Sequence, residues 1–116
     1  MNNVNVWDAA YKYLEWNGYE LKAGIGDINL VGIDPENDDL VLFEIIQADE
    51  DGFAVDTPTK LTRQMFEQLS IRVLKMYSDG YINNCHIRHD IVEVNFIDNH
   101  RAYIRHIKEA GFIEGR

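Results

Sequence analysis

Two strand-like runs, GDINLV at residues 26–31 and LVLFEIIQ at residues 40–47, each place one oxygen-bearing side chain on a face that is otherwise apolar: Asn29 in the first, Glu44 in the second. Oxygen donors gathered from adjacent strands are what a hard cation such as Mg²⁺ or Mn²⁺ requires, and a bound cation lowers the pKa of water for phosphodiester hydrolysis. Side chains two apart on a strand share a face, so Ile46 points the same way as Glu44 and brings no charge to it. Asn29 can offer a carbonyl oxygen but nothing to offset the dehydration of Mg²⁺, which gives up its waters reluctantly. A second anion would have to come from Asp27 or Asp90 turned inward, and an ammonium from Lys22, ahead of a glycine turn, or Lys60, at the start of a long helix. Solvated surface charge is the commoner fate of lysine, and it is the expectation for both. The pattern reads as a cation site without its chemistry.

These positions depend on the elements around them. A helix over residues 5–17 is predicted, with Asn5 as N-cap, Asp8 in the positive first turn, an apolar stripe through Trp7, Ala10, Tyr11 and Leu14, and Gly18 at C′. A strand follows at 19–23, then glycines 24 and 26 turn the chain into a second strand at 27–33, and DPENDD at 34–39 returns it into a third at 40–47. Thr57-Pro58 offers an N-cap with Pro at N1. From there Leu61, Met65, Phe66, Leu69, Val73, Met76 and Tyr77 recur at helical spacing until Ser78-Asp79-Gly80. Residues 86–97, rich in β-branched side chains, predict a fourth strand. Asp98 or Asn99 is expected to cap a last helix through Ala110, closed by Gly111. The order αβββαβα gives an α/β fold: a mixed sheet flanked by helices, its third and fourth strands parallel because a helical crossover joins them.

At 116 residues and 46% hydrophobic, the chain is expected to form one domain over residues 1–116 with a real core. Eleven basic against twenty acidic residues leave a net charge of -9, which disfavours general binding to a polyanion. One cysteine, Cys85, and an opening without a charged-then-apolar leader give the expectation of a reducing, cytoplasmic setting. The longest nearly apolar run, residues 40–48, contains Glu44 and falls far short of the ~20 residues of a bilayer span, so no membrane partner is expected. His86 and His89 face opposite sides of a strand and lack a second ligand pair at zinc spacing. The acidic runs at 34–39 and 49–52 lack the twelve-residue calcium pattern with its closing Glu. Asp90 could lie near Glu44 or pair with Arg88 or Arg63. No cofactor is expected, with Mg²⁺ or Mn²⁺ implied only for an active site.

Taken together, the segments resemble the YraN-like family of small bacterial proteins, within the restriction-endonuclease-like, PD-(D/E)XK superfamily, over nearly the whole chain. The family's YL followed by GY is matched by Tyr13, Leu14, Gly18 and Tyr19, its GEIDLI by residues 26–31, and its FVEVK by Phe43, Glu44, Ile45 and Ile46. Ala54-Val55, Lys60 and residues 88–92 resemble its later motifs. The resemblance implies a restriction-endonuclease-like fold in which Asn29 stands at the place of a metal-binding Asp and Ile46 at the place of a catalytic Lys, while Glu44 is retained. Trp7, with Asp8 beside it, stands at the acidic position of the first helix.

Three functions follow as expectations. The first is a degenerate nuclease domain without cleavage activity that works as an interaction module, on a protein partner or on itself. The alternative is a metal-dependent endonuclease or a DNA-binding protein acting on branched or damaged DNA. In a DNA-binding module the contacts would fall to Arg63, Arg72, Lys75 and Arg88, with Arg101, Arg105 and Lys108.

Overall fold

Asn5 opens the first element. Its side-chain oxygen accepts from the Asp8 N–H at 2.8 Å, capping α1 (Val6–Trp16), which buries Ala10 and Leu14. The helix ends where Gly18 adopts φ +89, a conformation that favours glycine, and the Tyr19 N–H closes onto the Leu14 carbonyl at 3.1 Å. The computed structural model describes residues 5–55, 58–77 and 86–113. Within them follow β1 (Glu20–Ile25), β2 (Ile28–Ile33), β3 (Leu40–Gln47), α2 (Arg63–Tyr77), β4 (Ile87–Phe96) and β5 (Ala102–Ile107).

The strands form one five-stranded mixed sheet in the order β1-β2-β3-β4-β5. Only β3 and β4 run parallel, registered from Leu40 opposite Ile87 to Gln47 opposite Val94; the other neighbours are antiparallel. The α/β class and the parallel central pair follow the sequence expectation. Period-two alternation divides the sheet between two cores. Leu30, Val41, Phe43, Val92 and Val94 pack with Ala10 and Leu14 of α1. Val31, Leu40 and Leu42 pack with Leu69 and Val73 of α2 on the other face.

Two elements differ from expectation. The last is a strand, so the described order is αβββαββ rather than αβββαβα. Asp98 does cap the chain, but its Oδ1 accepts from the N–H groups of His100 and Arg101, and Ile97 N–H bonds the Arg101 carbonyl. The same carboxylate chemistry that can start a helix here closes a tight turn. β5 then runs back along β4, bringing Arg105 opposite Glu93 and His106 opposite Val92, next to Asp90. Pairing with buried carboxylates overrides the weak local preference for helix.

The second difference is the start of α2. Thr62, not the 57–58 pair, caps it, accepting the Met65 N–H at 3.1 Å, and residues 58–61 lie outside the helix. Leu61, expected on the helix stripe, is buried ahead of it. Thr57, the 78–80 stop and Cys85 lie outside the described residues.

Next to the β1–β2 turn, β1 itself tolerates only glycine at one place. A Cβ on Gly24 would sit 2.0 Å from the Ile28 carbonyl oxygen, whereas one on Gly111 would meet nothing within 4 Å. Gly24→Ala is therefore expected to destabilise the fold by about 2 kcal/mol or more, and Gly111→Ala by no more than ~0.5 kcal/mol. Urea denaturation of both variants checks the contrast; equal midpoints would refute the account of the turn.

Candidate functional site

Glu44 lies near the middle of β3, on the α2 face, 3% exposed. A carboxylate so buried needs donors, and three reach it. Oε1 accepts from the Thr59 hydroxyl and lies 2.7 Å from His89 Nε2. Oε2 accepts the Lys60 N–H at 3.1 Å. Burial pushes the Glu44 carboxyl up, but the bonds from His89, Thr59 and Lys60 outweigh it and hold the group below the usual range. The strand register supplies His89, since Leu42 faces it across the parallel pair. The chain outside α2 supplies the other two.

The remaining positions do not gather around Glu44. Asn29 is exposed, and its Oδ1 accepts the Ile45 N–H at 2.7 Å, carrying the β2–β3 ladder one step past its last paired residues. Ile46 is half-buried beside Glu93. Lys22 holds its ammonium 5.5 Å from the Tyr77 ring centre. Lys60 is exposed and serves Glu44 through its backbone. Asp27 is exposed in the β1–β2 turn. With its amide oxygen and most of its carboxylate lone pairs committed to protein donors, this set does not fit a divalent cation. Among the described residues no three His, Cys, Asp or Glu side chains are grouped to hold one.

The opposite face carries a denser network. Asp90 shares the Phe43 side of the sheet, away from Glu44, and of the partners weighed for it the structure selects Arg88. Arg88 is 5% exposed; its Nε bonds Asp90 at 2.9 Å, and its terminal nitrogens reach Asp39 at 3.0 Å and Asp34 at 2.8 Å. Asp90 also accepts from the Glu109 N–H and lies 2.7 Å from His106 Nε2. His106 Nδ1 lies 3.1 Å from the Tyr13 hydroxyl. A neutral ring with its proton on Nε2 satisfies both contacts. Burial raises the Asp90 carboxyl, but His106, Arg88 and the Glu109 N–H together hold it low. For Asp34, burial is likewise overcome by the Glu36 N–H and Arg88. Tyr19, against Asp34 and Arg88, is pushed up to about 12, chiefly by burial and then by the Asp34 charge.

This placement corrects one candidate. Arg88 cannot meet a phosphate, because its guanidinium is enclosed among carboxylates; the alternation that put it beside other cations in the sequence turns it inward. Arg63, Arg72 and Lys75 are exposed on α2, with the Arg63 guanidinium 5.0 Å from the Phe112 ring centre. Trp7 and Trp16 are exposed on α1, whereas Phe112 is half-buried against Phe66 and His89. A fourth buried acid, Glu93, on the Glu44 face of the sheet, bonds Arg105 and the Ala54 N–H.

Thr59 and His106 were not legible as site residues, the one lying in the loop ahead of α2 and the other in a segment expected to be helical. His89 was weighed only as a metal ligand, and its strand parity fixes a face and not a partner. No family model and no curated protein matches the chain.

Two outcomes test the networks. Arg88→Ala leaves three carboxylates around an emptied site and is expected to cost about 3–5 kcal/mol, read by denaturant unfolding. Glu44, Asp34 and Asp90 all have folded pKa values below their unfolded ones. Their stabilisation is complete above the unfolded carboxylate range of about pH 4 and is lost as pH falls through the folded values. Calorimetric scans should show Tm falling below about pH 4, with a shallower fall in Asp90→Asn.

Proposed function

We propose that this chain is a restriction-endonuclease-like domain, related to the YraN-like family, that has given up cation-dependent cleavage and acts as an interaction module. One observation carries the reading: the Glu44 carboxylate is already occupied by Thr59, Lys60 and His89. In-line hydrolysis of a phosphodiester needs a cation to stabilise developing charge. Here Asn29 holds a strand backbone, Ile46 offers no ammonium, and Lys22 is drawn to Tyr77. The acid and the amide hold structural bonds, and neither lysine brings its ammonium to Glu44.

The target of binding is a protein partner or a second copy of the chain. A net charge of -9 weighs against a polyanion. Apolar side chains left exposed, among them Trp7, Trp16, Tyr103 and Met76, favour a protein surface. No helix among the described residues is long and apolar enough to cross a membrane.

Incubation of the purified chain with Mg²⁺ or Mn²⁺ and single-stranded, duplex or branched DNA is expected to leave every substrate uncut at enzyme excess. Reproducible cleavage abolished by the isosteric Glu44→Gln, with Asn29→Ala as a second variant on the exposed side, would overturn the reading.

A further inference from the structure

The sheet has two edges, and the chain treats them differently. β1 carries features that keep a free edge from pairing with another chain: Lys22 lies in the strand, Gly24 has no side chain to pack across it, and the Ala23 carbonyl accepts the Tyr77 hydroxyl at 2.8 Å. β5, at the other edge, has no lysine, glycine or proline from Ala102 to Ile107. Its main chain is also open on the outer side. The Ile97 N–H bonds the Arg101 carbonyl, and the Val94 carbonyl takes the Ala48 N–H from the β3 side. Odd-numbered residues of β4 therefore turn their backbone groups toward β5, and even-numbered ones toward β3. Across the antiparallel register the main chain of Tyr103 and Arg105 bonds that of Asn95 and Glu93, so alternation turns the N–H and C=O groups of Ala102, Ile104 and His106 away from the sheet. No loop backbone among the described residues takes them.

We propose that β5 pairs antiparallel with β5 of a second copy of the chain, about a two-fold axis at Ile104, and so joins two sheets into one. This rests on the reading of the chain as an interaction module and names its partner. Outward groups meet only where even-numbered residues face even-numbered ones, which leaves few registers that overlap most of the strand. Centring the axis on Tyr103 sets Arg101 opposite Arg105 of the second copy, and centring it on Arg105 sets that residue against itself; like charges directly opposite destabilise a strand pair. Centring on Ile104 avoids both. Ala102 then faces His106, and Ile104 faces Ile104, as the hydrogen-bonded pairs that exchange both backbone bonds. Tyr103 faces Arg105 as the non-hydrogen-bonded pair, whose side chains come closer.

The side chains suit that register. Tyr103 is 62% exposed although it lies within a strand. Arg105 bonds Glu93 and lies 5.4 Å from the Phe53 ring centre, yet 34% of its side chain stays exposed. The opposing Tyr103 ring covers that open part, and symmetry repeats the cation–π contact on the other side of the axis. On the α1 face two Ile104 side chains meet at the axis, and the small Ala102 leaves room for His106. A net charge of -9 on each copy opposes association, but the edge itself brings little charge to the contact. Arg105 is paired with Glu93 and Arg101 with Asp98, and β5 contains no acidic residue. A two-fold contact closes on itself, and with the β1 edge blocked the assembly stops at two chains.

Sedimentation equilibrium of the full chain from micromolar to millimolar concentration is the test, and a monomer–dimer equilibrium is expected. Tyr103→Lys, an exposed change that sets an ammonium against a guanidinium twice, is expected to weaken the dimer by about tenfold or more, whereas Tyr103→Glu, which offers the same guanidinium an acid, keeps its affinity within about threefold of the native chain. Hydrogen exchange reads the register: the amides of Ala102, Ile104 and His106 should be protected in the concentrated dimer and exchange fast on dilution. A chain that stays monomeric at millimolar concentration, a dimer indifferent to Tyr103→Lys or weakened as much by Tyr103→Glu, growth beyond the dimer, or outer amides that exchange freely at every concentration each overturns the pairing. A monomer would refute this contact and leave the cleavage assay unaffected, so its failure is distinct from the appearance of cleavage that would refute the proposed function.

Discussion

Three carboxylates on two neighbouring parallel strands must be buried with partners, and that constraint organises the rest of the molecule. Glu44 on β3 and Asp90 and Glu93 on β4 are all nearly inaccessible to water. Removing an ionised carboxyl from water costs several kcal/mol unless hydrogen bonds and countercharge replace the solvent. Each acid therefore captures a piece of chain from elsewhere. Glu44 draws in residues 59–60 and His89, Asp90 draws in β5 through His106, and Glu93 fastens Arg105 and the loop at Ala54. Arg88 extends the same logic to the 34–39 loop through Asp34 and Asp39.

The sheet keeps these systems apart. Because Glu44 pairs with Ile91 and Phe43 with Asp90, alternation sends Glu44 and Asp90 to opposite faces, each beneath its own helix. A cation needs its anions on one side, within about 2 Å of a common centre; Asp90 lies on the other face, and Glu93, which shares the face of Glu44 as the register partner of Ile46, is engaged by Arg105 and the Ala54 N–H. What stands beside Glu44 is a histidine, which shares the charge of the carboxylate rather than adding to it. The result is a buried polar seam on the α2 face, in which His89 Nδ1 has no partner among the described residues.

Local patterning made a good part of the fold legible. Asn5 and Gly18 bound α1 as the capping residues predict, and the glycine turn and the 34–39 loop separate three strands in the anticipated order. The long connection containing a helix made β3 and β4 parallel. Around the site, the shared face of Glu44 and Ile46 and the pairing of Asp90 with Arg88 both follow from period two. What alternation could not reveal is which strand faces which. His89 is 45 residues from Glu44 and meets it only through register.

By itself, then, the sequence determined the elements whose signals lie within a few residues of one another: caps, turns, apolar stripes and the absence of charge at Ile46. Tertiary structure alone decided that residues 98–101 make a turn and 102–107 a strand, that α2 waits until Arg63, and that Arg88 is enclosed. Asp98, Thr59 and Arg88 each carry side chains compatible with two local outcomes of similar energy. The choice fell to buried acids distant in sequence, whose desolvation outweighs any single capping preference.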